Sequence, residues 1–122
     1  MAATAEDLTR LLSNAGVVET DQLAELLRVT KGELALATGL SRDAVSKRAR
    51  VTSPKTQQRL RDTIEIINRA VPWTGSTARA FAWFRSQPLP SFGDKTAEDL
   101  LKEGRAQAVK DYLSRIADGG YA

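Results

Sequence analysis

The chain has no cysteine and no histidine. The first absence excludes disulfides and thiolate chemistry. The second removes the commonest metal ligand and the commonest general base near neutral pH. Acid–base work would fall to Asp, Glu or Lys, and no convergent set of these stands out. No catalytic residue, metal site or cofactor is therefore expected, and the chain is not read as an enzyme. Long apolar runs are also lacking: no stretch approaches the roughly 18 residues of a membrane span. The opening MAATAEDLTR has neither the basic start nor the apolar run of a signal peptide, so the expected location is the cytoplasm, with no membrane partner. β-branched clusters are scarce. Val17-Val18 is short and lies between helical segments, so no strand is expected.

What remains is helix after helix. Leu8, Leu11 and Leu12 mark a first helix over residues 4–14, and Leu23, Leu26 and Leu27 a second over 21–28. Thr30 with Glu33 fits a capping box opening a third helix over 31–37, and Gly39 supplies a turn. Ser41 caps a fourth helix over 42–49, with Val45 facing inward. Ser53-Pro54 starts a long helix bearing Leu60, Ile64, Ile67 and Val71, expected to close before Pro72. The stretch from Pro72 to Gly75 is the expected join between two regions, 1–71 and 72–122. Beyond it come a helix over 76–86, a connection broken by Pro88 and Pro90, a short helix opened by Thr96 and Asp99, and a last one with Val109, Tyr112, Leu113 and Ile116. The fold class is all-α: a helix-turn-helix half followed by a small helical half.

Net charge is only +3, but it is unevenly placed. Residues 41–61 hold seven basic side chains (Arg42, Lys47, Arg48, Arg50, Lys55, Arg59, Arg61) against one acid, Asp43, which leaves the remainder at −3. A basic segment in an otherwise acidic chain fits a phosphate-binding surface, although a solvated helix face has the same composition. Leu34, Ala35, Gly39, Leu40 and Val45 match the small, turning and buried positions of a helix-turn-helix. Thr38 and Arg48 depart from it, standing where such motifs commonly bury apolar residues. In that frame Ser41, also a candidate DNA contact, caps the helix, Arg42, Asp43, Ser46 and Lys47 lie where base edges are read, and Arg48, Arg50 and the later cations meet phosphates of an operator DNA. Paired half-sites imply a homodimer or a larger assembly, with the N-terminal leucines as interface candidates if the core does not consume them.

The segment from residue 78 onward resembles the toxin-binding domain of the Xre/MbcA/ParS antitoxin family. The matching features are an alanine-rich helix ending in Trp83-Phe84, then Pro88, Phe92-Gly93, Leu100-Leu101, Gly104, the Val109, Leu113, Ile116 series, and a tail from Gly119 to Tyr121. Asp94 stands where the family commonly has a second glycine, and Ala97 where its short helix commonly begins with proline. Ser41-Arg42-Asp43, Ser53-Pro54 and Arg59-Leu60-Arg61 resemble the family's N-terminal half. The resemblance implies an antitoxin that inhibits a cognate NAD-consuming RES-domain toxin by placing its C-terminal end at the toxin active site, and that represses its own operator. The toxin would be held through Phe84, Arg105, Lys110, Arg115 and the tail Gly119, Gly120, Tyr121 and Ala122. Trp83 is expected in the core, with Phe84 left for the interface. The competing reading is a free-standing helix-turn-helix regulator whose C-terminal half only dimerises.

Overall fold

A computed structural model describes residues 4–13 and 16–119. Within them the chain forms α1 (Ala5–Ser13), α2 (Thr20–Leu27), α3 (Lys31–Thr38), α4 (Arg42–Ser46), α5 (Arg48–Val51), α6 (Pro54–Thr74), α7 (Thr77–Ser86), a 3₁₀ turn (Pro90–Phe92), α8 (Ala97–Lys102) and α9 (Ala106–Ala117). The expected all-α class holds, the sole β feature among the described residues being an isolated bridge between Leu89 and Lys95.

Side-chain caps set most helix starts. Hydroxyls of Thr30, Ser41, Ser53, Ser76 and Thr96 each accept a backbone N–H three residues on. Such a cap is worth about 1 kcal/mol. Thr96 and Asp99 complete a reciprocal box, as do Thr4 and Asp7. Thr30 and Glu33 make only half of one: the Glu33 carboxylate accepts from the Thr30 hydroxyl. Asp94 has φ of 64°, a left-handed conformation that costs a residue with a Cβ, and it directly follows Gly93 at 67°. A glycine at 94 would adopt this geometry freely, and aspartate is among the few other residues that visit it.

Helix α6 is the axis. It touches α1, α3, α5, α7, α8 and α9 and buries Leu60, Ile64, Ile66, Ile67 and Ala70 completely. One apolar cluster runs from Leu8 on α1 through Leu23 and Leu34 to Phe84, Leu100, Val109 and Leu113. Leu8, Leu11, Leu23 and Leu27 are therefore consumed by the core, with Leu12 and Leu26 packed partly against it, and the N-terminal leucines are withdrawn as a self-association face. The closure expected before Pro72 is also corrected: α6 continues through Pro72 to Thr74. A proline in the last turn forfeits a single intrahelical bond. Against that loss, Trp73 packs edge-to-face on Trp83 at 5.2 Å, and Gly75, at φ of 102°, donates to the Val71 carbonyl. The place expected to join the two regions is thus inside a helix.

Two polar seams lock the helices. Gln57, buried, accepts from the Val18 N–H at 2.6 Å and donates to the carbonyls of Val18 and Val51, tying the α1–α2 connection to the end of α5. Between α6 and α9, Lys110 sits 2.7 Å from Asp62 and 2.9 Å from Glu65, its side chain only 11% exposed. Burial pushes the Lys110 ammonium down, but hydrogen bonds and attraction from the two carboxylates outweigh it, so it lies above the ordinary lysine value.

Replacing Gln57 by Leu strands the Val18 N–H and two carbonyls, and is expected to cost about 2 to 3 kcal/mol in urea unfolding. Lys110→Met leaves Asp62 and Glu65 without their cation and is expected to cost about 2 kcal/mol. Because the folded ammonium is raised, its contribution is complete below the unfolded pKa and fades as pH rises through the folded one. The stability gap between wild type and Lys110→Met should hold steady up to about pH 10 and close above it, followed by denaturant titration at stepped pH.

Candidate nucleic-acid and partner-binding surfaces

The α3–turn–α4 unit follows from local chemistry. Gly39 closes α3 with φ of 72° and donates to the Ala35 carbonyl, and Ser41 opens α4 two residues later. Leu34, Ala35, Ala44 and Val45 are buried, as the motif requires. Thr38 is completely buried despite its hydroxyl, which donates to its own helix at the Leu34 carbonyl, 2.7 Å away. Its own carbonyl accepts from Arg59.

The fourth helix is shorter than expected. Lys47 has extended backbone (φ −89°, ψ 124°), so the stretch over 42–49 divides into α4 and α5. In an unbroken helix the Val45 carbonyl would accept from the N–H of Ala49. Here it accepts from the buried Thr20 hydroxyl at 2.7 Å, a tertiary bond that competes with the helical one. Glu19, beside Thr20, binds the Arg48 guanidinium at 2.7 to 2.8 Å through both carboxylate oxygens.

The candidate DNA-facing residues therefore separate. Ser41, Arg42, Asp43, Ser46, Lys47 and Arg50 are all exposed around α4 and its break. Arg42 lays its guanidinium beside Gly32, and Lys47 pairs with Asp43 at 3.5 Å on the surface, a weak tie. Arg48 is exposed as well, its guanidinium paired with Glu19 at the surface. Two of the later cations are corrected. Arg59 donates to the Thr38 carbonyl at 2.7 Å and Arg61 to the Leu12 carbonyl at 3.1 Å, so both serve the interior. The local excess of positive charge exists, but less of it faces solvent than composition implied.

The candidate partner residues separate as well. Phe84 is fully buried, stacked with Phe81 at 6.1 Å, and is removed from the contact set. Trp83 is in the core as expected. Both adjacent aromatics are buried because α7 is covered by α6, α8 and α2. Lys110, expected to point outward, lies in the α6–α9 seam. Arg105 and Arg115 are exposed, poised over the rings of Phe92 at 5.6 Å and Tyr112 at 5.8 Å. Gly119 is exposed with φ of 101°, while Gly120, Tyr121 and Ala122 lie outside the described residues.

A buried acid was not singled out in the sequence. Glu98 on α8, its side chain 11% exposed, holds Arg85 of α7 at 2.6 Å and Lys102 at 2.9 Å. Its i, i+4 spacing to Lys102 was legible, but its burial depends on α7.

No curated protein and no solved structure matches the chain. A family model described as the antitoxin Xre/MbcA/ParS C-terminal toxin-binding domain matches residues 69–119, spanning the end of α6 through α9. The match covers 51 of the 122 residues, so it is a similarity of the C-terminal region, from the end of α6 through α9, to that toxin-binding domain.

Proposed function

We propose that the chain is the antitoxin of a toxin–antitoxin pair. In this reading its C-terminal region binds and inhibits a NAD-consuming RES-domain toxin, and its N-terminal region binds operator DNA for autorepression. The observation that carries the reading is the match of residues 69–119 to the family model of an antitoxin toxin-binding domain. The division at residues 71 and 72 is then one of task, since the hydrophobic core crosses it.

Partner contact falls to Arg105, Arg115 and the tail from Gly119 to Ala122. Gly119 permits close backbone approach, and Tyr121 brings an amphipathic ring. DNA contact falls to the α4 surface and the exposed cations after it, with Arg42, Asp43, Ser46 and Lys47 toward base edges beside the capping Ser41, and Arg48 and Arg50 toward phosphates. The helix-turn-helix geometry and the exposure of these side chains support that assignment. A homodimer or a toxin–antitoxin hetero-oligomer presents two such surfaces to paired half-sites.

Co-expression with a RES-domain toxin encoded by an adjacent gene is expected to restore growth and yield a stable complex. A truncation ending at Asp118 should still co-purify but leave NAD consumption uninhibited. Full inhibition by the truncated chain would dismiss the tail as the plug. The Arg42→Ala, Lys47→Ala double variant is expected to weaken operator binding, each lost base contact being worth about 1 to 3 kcal/mol. Wild-type affinity in a mobility-shift assay would show that another face reads the DNA.

A further inference from the structure

The turn of the α3–α4 unit is roofed by residues distant in sequence. A Cβ built on Gly39 would come within 2.9 Å of Lys102 Cγ and 3.1 Å of Arg59 Nη1. The aliphatic stem of Lys102, on α8, thus rests directly on the turn glycine. Arg59, on α6, holds the carbonyl of Thr38, the last residue of α3, at 2.7 Å. Lys102 does not rest there unsupported. Glu98 holds its ammonium at 2.9 Å and is itself anchored by Arg85 of α7 at 2.6 Å. At its far end α4 is held by Thr20 through the Val45 carbonyl. The short α4 is therefore fixed at its far end by α2, and the turn that leads into it is held by α8 and α6.

We infer that α8 is a working part of the α3–turn–α4 unit, with Lys102 and Arg59 as positioning residues that set the angle at which α4 leaves α3. The active portion of Lys102 is its methylene stem, which fills the place a Cβ would take over Gly39. Its ammonium pairs with Glu98 beyond that contact, and the contact with Gly39 is made by the stem alone. The line from Arg85 through Glu98 and Lys102 to Gly39 joins the partner-binding domain to the DNA-facing surface. The inference rests on the proposed function only for the consequence that α4 orientation governs operator affinity.

The test uses the full chain with neither DNA nor toxin present, so its outcome is separate from that of the antitoxin reading. Amide hydrogen exchange is measured for wild type, Lys102→Ala and Lys102→Met. In Lys102→Ala the Gly39 and Leu40 amides are expected to exchange about tenfold faster, while those of Ile64 and Leu113 stay within about twofold. Lys102→Met, which keeps the stem and loses the charge, should remain within about twofold of wild type throughout. Unchanged exchange at Gly39 and Leu40 in Lys102→Ala would overturn the inference. So would acceleration spread equally over the chain, which marks a loss of global stability alone, or a Met variant as loose at the turn as the Ala variant. Where operator binding is established, Lys102→Ala is expected to weaken it about tenfold and Lys102→Met to preserve it.

Discussion

Helix α6 has to bury most of its circumference, because six other helices lean on it and none of them is long enough to form a core alone. Eight-residue helices such as α2 and α3 would be marginal in isolation. They persist because each inserts apolar side chains against α6 or its neighbours, at about 1.5 to 3 kcal/mol for a fully buried Leu or Ile. This dependence makes Ser53-Pro54, which fixes where α6 begins, and Gln57, which ties its first turn to two loops, central to the whole molecule.

The same requirement explains why so much charge faces inward. A helix surrounded on most sides cannot keep Arg59, Arg61, Asp62 and Arg69 in free solvent. Each is instead matched with a carbonyl or an opposite charge on a neighbouring helix. Polar groups placed in this way specify register between helices, since a displaced partner leaves a costly unpaired group.

Much of the architecture was legible in the residues. The hydroxyl caps, Gly39 and the leucine spacings located nearly every helix, because these are local effects acting within a turn or two. All seven aromatic residues lie at or beyond position 73, and the family signature they help to make was readable there. What escaped was decided by tertiary contacts. The break at Lys47 depends on Thr20, distant in sequence, capturing the Val45 carbonyl. The passage of α6 through Pro72 depends on Trp83 receiving Trp73. The fates of Phe84, Lys110 and Arg59 were hidden for one reason: spacing shows which side of its own helix a residue occupies, whereas a second helix decides whether that side meets water. Counting cations between residues 41 and 61 measured charge but not its direction.

If α4 reads a duplex as proposed, the interruption of the chain at Lys47 limits how much information a single copy can extract from it. Five helical residues rise about 7.5 Å, little more than one turn. A probe of that size spans about two base-pair steps along the groove. Discrimination among long targets would then arise from several copies acting together, the address being encoded in the spacing between them.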